Sequence, residues 1–189
     1  TAGGGFTGPT TVRGGRLELG APASARLPGD VSILSGAALG GTGSLGGTAT
    51  ASSGGAISPG NSVGTLSVGS ASFQVGSFLE LDVTPTSADE LLVTGAATIA
   101  PGAKLRILPA PGTYPALGTG TAFPVLIAGS KTGLFDVPTD FAFLDVTVDQ
   151  SGNQVLLTIE SNGNTLTSLA TSENQREVAR FSSADARRL

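Results

Sequence analysis

The chain contains no His and no Cys, which removes the usual general base, the commonest metal ligand, the partner of a serine nucleophile and every thiol. Serine with lysine is what remains for nucleophilic chemistry. Only Lys104 and Lys131 are present, and neither stands in an S-x-x-K arrangement. Four carboxylates cluster in sequence at Glu80, Asp82, Asp89 and Glu90, the residue type of a glycosidase acid/base pair. Glu80 and Asp82 alternate with Leu79, Leu81 and Val83, which puts them on the polar face of a strand, where a solvated outer surface is the ordinary role. Gly41-Thr42-Gly43-Ser44-Leu45-Gly46 spells G-x-G-x-x-G, but the dinucleotide fingerprint needs a hydrophobic strand before it, a helix opening on its last Gly and an acid about 20 residues later. Here the next carboxylate is Glu80. A calcium-binding β-roll needs an Asp in every coil, and residues 31–79 hold no carboxylate. The reading is a chain with no catalytic, cofactor-binding or metal-ligating residues.

The scaffold explains why chemistry is so thinly represented. Residues 31–79 are 49 consecutive positions without Asp, Glu, Lys or Arg, dense in Gly, Ser, Thr and small aliphatics. A monomeric globule needs a charged surface for solubility, so a segment like this predicts a flat, repetitive solenoid surface. With 189 residues, 29 of them Gly, and only 13% charged, the chain can bury one core, but its packing units must be small. The net charge of −4 and pI near 4.6 argue against a nucleic-acid or anionic-membrane surface, which needs clustered Lys and Arg. Apolar runs such as Val125-Leu126-Ile127-Ala128 are far short of the ~20 residues of a membrane helix. The absence of Cys suits a protein that crosses an oxidising compartment unfolded.

Three zones follow. Residues 1–80 hold 20 of the 29 glycines, and short β-favourable patches recur between them. One aliphatic per coil at Leu17, Leu39, Ile57, Leu79 and Ile99 gives steps of 22, 18, 22 and 20 residues, near one turn of a parallel β-helix whose corners are Gly. In residues 81–160 charge returns, and seven of the nine aromatics lie between Phe73 and Phe143. Leu144–Asp149 and Gln154–Glu160, joined by Gln150-Ser151-Gly152-Asn153, read as a hairpin with its loop Gly left-handed. Such a hairpin can cap the last coil, whose edge would otherwise stay unpaired. Residues 161–189 lose strand character. Asn162-Gly163-Asn164 is a turn, and Ser172-Glu173-Asn174-Gln175 is an S-x-x-Q capping box for a helix with Val178 and Phe181 on its apolar side. The expected fold is all-β: a parallel β-helix with a C-terminal capping hairpin and a short C-terminal α-helix.

Specific residues carry a family resemblance. Phe6-Thr7-Gly8-Pro9-Thr10-Thr11-Val12 with Gly14-Gly15-Arg16-Leu17-Glu18-Leu19 resembles the passenger-associated β-strand repeat of autotransporters (type V secretion). Gly54-Gly55-Ala56-Ile57-Ser58-Pro59-Gly60-Asn61-Ser62-Val63-Gly64-Thr65-Leu66 resembles the S-P-G-N-S-x-G-T-L segment near the C-terminal end of such passengers. Asp89 to Gly95 and Thr132-Gly133-Leu134-Phe135-Asp136 match the D-x-L-x-V-x-G and G-x-F-D elements, and Thr171-Ser172-Glu173-Asn174-Gln175 with Val178-Ala179 resembles the linker helix that leads to the outer-membrane barrel. The resemblance implies a right-handed β-helix whose residues from about 55 to 160 act as an autochaperone. It also implies a chain that begins within a repeat and continues past Leu189. Its partners would then be its own C-terminal β-barrel translocator and upstream passenger coils, at the cell surface of a Gram-negative outer membrane or secreted from it. A host-surface glycan or protein ligand, met by ladders of Thr and Ser, is the alternative role.

A β-helix coil cannot bury its face alone, so folding needs a nucleus. The large apolar side chains of the second zone place it at Phe135, Phe141, Phe143, Leu144, Val146, Leu157 and Ile159, since burial stabilises by ~25 cal/mol per Å² and aromatics bury most.

With no Cys, no His and no carboxylate ladder, the melting temperature is expected to be unchanged by EDTA or by a reducing agent. Thermal denaturation followed by circular dichroism checks this, and a shift of several degrees with either reagent would contradict it.

Overall fold

The computed structural model describes residues 8–20, 26–138 and 140–176. The chain passes repeatedly from one sheet, around a corner, into a second. β1 (Thr10–Val12) leads to β2 (Gly15–Leu19); β3 (Arg26–Leu27) and β4 (Val31–Ile33) lead to β5 (Ala37–Gly41); β6 (Ser44–Ala51) leads to β7 (Ala56–Pro59). β8 (Thr65–Phe73) leads to β9 (Phe78–Thr84) and the two-residue β10 (Ser87–Ala88), and β11 (Glu90–Ile99) leads to β12 (Lys104–Pro109). β13 (Phe123–Thr132) is followed by the hairpin of β14 (Leu144–Asp149) and β15 (Gln154–Ser161). The first sheet runs β1-β4-β6-β8-β11-β13-β15-β14 with β3 beside β6; the second runs β2-β5-β7-β9-β12 with β10 beside β9. Strands pair in parallel from coil to coil up to β13, making a β-solenoid of about four turns. The hairpin strands then pair antiparallel.

Leu17, Leu39, Ile57 and Leu79 are register partners in successive coils of the second sheet, as their spacing predicts. The fifth rung is Leu105, and Ile99 instead stands beside Phe73 in the first sheet. The β9–β10 hairpin and the ten-residue β11 lengthen that coil, so a step of 20 residues falls one corner short.

Glycine is required at two recurring places. Gly36, Gly54, Gly76 and Gly102 have φ of 76°, 75°, 74° and 87° and mark the same corner in four coils. Each lies in a turn closed by a backbone hydrogen bond, such as Ala37 N–H to the Leu34 carbonyl at 3.0 Å and Gly55 N–H to the Ser52 carbonyl at 2.8 Å. The corners are also tied to one another: Gly36 N–H donates to the Gly54 carbonyl, Gly54 to Gly76 and Gly76 to Gly102, at 2.9–3.0 Å. The second place is the bend inside the long first-sheet strands. β8 buries Leu66 and Val68, then Ala71 and Phe73. The odd step at Gly69 resets the alternation so that both halves face inward. A Cβ at Gly69 would meet the Gly46 carbonyl, and one at Gly95 would lie 2.8 Å from the Gly69 carbonyl.

One apolar cluster runs unbroken from Val31 to Ile159. The compositional step at residues 80 and 81 falls inside β9, so it does not divide the core. The N-terminal coils also bury larger side chains than their composition suggests: Ile33, Leu39, Ile57 and Leu66 are all fully buried. A narrow solenoid interior is filled by a few aliphatics per strand, such as Val31 and Ile33 on β4, and alternation supplies them.

Beyond the hairpin, a four-residue helix spans Leu166–Leu169, closed by a capping box in which Ser168 N–H donates to Thr165 Oγ1 at 3.1 Å. The sequence places the C-terminal helix from the Ser172 capping box onward and gives no sign of this earlier turn. That box is present: Gln175 N–H donates to Ser172 Oγ at 3.2 Å and Ser172 N–H to Gln175 Oε1 at 3.1 Å, opening a helical turn at 173–176. The remainder of that helix, with Val178 and Phe181, and the Phe6 start of the first repeat lie outside the described residues.

Gly36 is surrounded by open space whereas Gly69 abuts backbone. Gly36→Ala should therefore cost only the left-handed strain, about 1 kcal/mol, and Gly69→Ala at least twice that, because two coils must separate. Chemical denaturation of the two variants checks the ranking; equal losses would contradict it.

Candidate functional site: the hairpin cap and the corner-loop clamp

A parallel solenoid presents the backbone groups of its last strand to solvent unless something covers them. In the first sheet that strand is β13; in the second it is β12, whose outer side meets Asp136 through Leu105 N–H to the Asp136 carbonyl at 2.9 Å and Asp136 N–H to the Ala103 carbonyl at 2.8 Å. The first half of β13 pairs with β15, with Phe123 opposite Leu157 and Ile127 opposite Gln154. Past that point β15 gives way to the hairpin tip, and side-chain amides take over the pairing. Ala128 N–H donates to the Asn153 carbonyl at 3.0 Å, Lys131 N–H donates to Asn153 Oδ1 at 3.2 Å, and Asn153 Nδ2 donates to the Gly129 carbonyl at 3.0 Å. Gln150 continues the pattern one corner further. Phe135 N–H donates to its Oε1 at 2.8 Å, and its Nε2 donates to the Phe135 carbonyl at 2.9 Å. A single primary amide thus supplies the acceptor and donor that a strand residue would offer. Lys131 Nζ adds a bond to the Gln150 carbonyl at 2.8 Å. At the far end of β15, the Glu160 carboxylate accepts the Gly120 N–H. Backbone N–H groups of 118–120, Gly120 foremost, hold its pKa below the usual carboxylate range.

The seven residues read as a folding nucleus divide into three groups. Phe135, Leu157 and Ile159 are buried, and Phe135 meets Phe73 edge-on with ring centroids 4.9 Å apart. Phe141, Leu144 and Val146 are half-buried against the core. Phe143 is 40% exposed and does not belong to it. It lies just before β14, where its carbonyl accepts the Asn162 N–H at 3.2 Å while its ring meets solvent.

A second constellation surrounds the 58–64 loop, which carries Ser58-Pro59-Gly60-Asn61-Ser62. Arg16 reaches across β5 from the first coil. Its Nη1 donates to Ser58 Oγ at 2.8 Å, and its Nη2 donates to the carbonyls of Ser58 at 3.0 Å and Gly60 at 2.7 Å. A Cβ at Gly40 would collide with that guanidinium, so the glycine makes the channel in which Arg16 lies. On the opposite side the fully buried Asp89 accepts the N–H of Gly64 and of Asp82, each at 2.8 Å. The loop is held between a cation and a carboxyl group, and Ser62 at its tip takes φ of 80°, a conformation uncommon outside Gly. Next along the second sheet, Ser58 Oγ donates to Glu80 Oε1 at 3.3 Å, and Glu80 pairs with Arg106 at 2.9 Å. The Arg106 guanidinium stacks 3.8 Å above the Phe78 ring. Glu80 and Asp82 therefore lie outward as alternation predicts, whereas Asp89 is in the interior.

Asp89, Arg16, Gln150 and Asn153 are the residues that sequence reasoning missed. For Asp89 a signal existed: it shares parity with the inward Leu91 and Val93. For Arg16, Gln150 and Asn153 there was none, because their backbone partners lie 15 to 44 residues away. On the outer face of the first sheet, Thr11, Ser32, Thr50, Ser72, Thr98 and Thr132 are consecutive register partners, a hydroxyl ladder with a rung every ~4.8 Å. Among the described residues no group of three or more His, Cys, Asp or Glu could hold a metal ion. No protein-family model and no curated protein sequence matches the chain.

Gln150→Ala leaves the Phe135 N–H and carbonyl without partners at a buried residue, and each lost bond costs about 1 kcal/mol or more. The variant is expected to lose about 2 kcal/mol, and Asn153→Ala a comparable amount, in urea denaturation. Losses below about 0.5 kcal/mol for both would show that the amides do not seal the edge.

Proposed function

We propose that this chain is a non-catalytic secretion and folding module, the C-terminal part of an autotransporter-type passenger. Its cap nucleates the β-helix and closes the solenoid on the side facing the membrane translocator. The observation that carries this reading is the antiparallel hairpin sealing the last parallel strand, with Gln150 and Asn153 completing the pairing. With the first-sheet edge at β13 covered, growth is expected to proceed from the cap toward the N-terminal coils. The ordered motifs from Gly14 to Gln175 support the family assignment, and with it a location at a Gram-negative cell surface or in the medium. Its partners are its own barrel and further passenger coils. The nucleus comprises Phe135, Leu157 and Ile159, with Phe141, Leu144 and Val146 at its margin.

The hydroxyl ladder from Thr11 to Thr132 favours a second reading, an adhesin-type face for a host glycan or protein. Saturable binding on a glycan array would promote it.

A passenger displayed with its barrel tests the first reading. Leu157→Asp buries an unpaired charge, a cost of several kcal/mol, and should abolish surface display. Phe143→Asp, at an exposed position, should be displayed normally. Limited proteolysis in rising denaturant should leave residues 81–160 intact after 26–54 are cut. Normal display of Leu157→Asp, or residues 26–54 as the resistant fragment, would refute the folding role.

A further inference from the structure

Asp89 lies at the meeting of two corner loops with none of its surface exposed. Its two carboxyl oxygens are divided between a loop and a strand: Oδ1 takes the Gly64 N–H of the 58–64 loop, and Oδ2 takes the Asp82 N–H of β9. The main chain repeats the connection, Asp89 N–H to the Asp82 carbonyl at 2.9 Å and Glu90 N–H to the Gly64 carbonyl at 3.0 Å. One side chain therefore ties the corner entering β8 to the corner entering β11. The charged groups around it are few. The 58–64 loop and β10 contribute no ionisable side chain. β9 contributes Asp82, β11 contributes Glu90, and Glu80 is engaged by Arg106. Arg16 of β2 is committed to Ser58 and Gly60. No cation makes an ion pair with Asp89 among the described residues, where the sole such pair is Arg106–Glu80.

We propose that Asp89 is a proton-operated latch: neutral, it holds the 58–64 loop against the β9–β10 hairpin more firmly than when charged, so that mild acid tightens the solenoid and neutral to alkaline conditions loosen it. The carboxylate accepts the two N–H bonds more strongly than the neutral carboxyl does, but it alone carries the cost of being buried without an ion-pair partner, and that cost is the larger. Burial, opposed by the two backbone hydrogen bonds, raises the pKa from 3.8 to about 7. Asp82 adds repulsion and Arg16 a smaller attraction. Between about 3.8 and about 7 the folded chain holds a proton that the unfolded chain has released, so stability rises as pH falls through that interval. Above it both states are ionised and the burial cost is complete. A salt-bridged carboxylate would behave in the opposite sense. The chain has no His, the residue that would otherwise titrate in this range.

The test is the folding equilibrium from urea titrations at pH 5.5 and 7.5. For the unaltered chain the folded-to-unfolded ratio is expected to increase on the order of tenfold at the lower pH. Asp89→Asn, which cannot titrate, should be less stable than the unaltered chain at pH 5.5 and show no such increase, while Glu80→Gln should retain it. A carbon-13 titration of the Asp89 carboxyl in the unaltered chain reads the same group without any substitution and should give a midpoint near 7. A ratio that is flat or falls on acidification, an increase that survives in Asp89→Asn, or a carboxyl midpoint below 5 would each overturn the latch.

Discussion

Backbone pairing from coil to coil is the interaction on which everything else in this molecule depends. Each first-sheet and second-sheet strand directs its N–H and C=O groups along the solenoid axis, so no coil can satisfy them alone. Two consequences follow directly. Neighbouring backbones must approach within one strand spacing at every corner and bend, which excludes a Cβ at Gly69 and demands left-handed glycines at Gly36, Gly54, Gly76 and Gly102. The last coil, moreover, must be covered by something that is not another coil. The hairpin of β14 and β15 meets that demand along half of β13, Asn153 meets it along the remainder, and Gln150 meets it at Phe135 one corner further on.

The same constraint explains how little side-chain bulk suffices. With the backbone ladders providing regularity, two to four mostly small or medium inward apolar side chains per strand fill a narrow interior, and Ser or Thr can occupy the outward positions without charge. Surface polarity is then supplied by hydroxyl columns such as Thr11 to Thr132. Several of the charged groups act on backbone: Arg16 on the carbonyls of the 58–64 loop, Asp89 and Glu160 on N–H groups. In this fold ionic side chains substitute for missing ladder partners more than they pair with one another.

That division determines what the sequence could reveal. Periodicity exposed the Leu17–Leu39–Ile57–Leu79 rungs, because one aliphatic per coil recurs wherever coil length is nearly constant. It failed at the fifth rung, where β10 and a longer β11 displaced Leu105. The hairpin was legible down to its left-handed Gly152, with φ of 59°, since turn chemistry is local. Aromatic residues misled: Phe143 is large and apolar but lies outside the core, while Ile33 and Leu66 in a Gly-rich stretch lie within it. The polar ties were the least legible. Their partners are main-chain atoms of other coils, which any residue could present, and only the inward parity of Asp89 gave a local sign.

The central claim is that the hairpin and its two amides close the edge of β13 and of the corner at Phe135 as completely as a further coil would. Native-state hydrogen exchange at neutral pH measures this directly. The account predicts that the amides of Ala128, Lys131 and Phe135 are protected to within about tenfold of those in the interior strands β8 and β11, since protection follows local opening. Exchange at those three amides near the rate of an open strand edge, with β8 and β11 still protected, would contradict it.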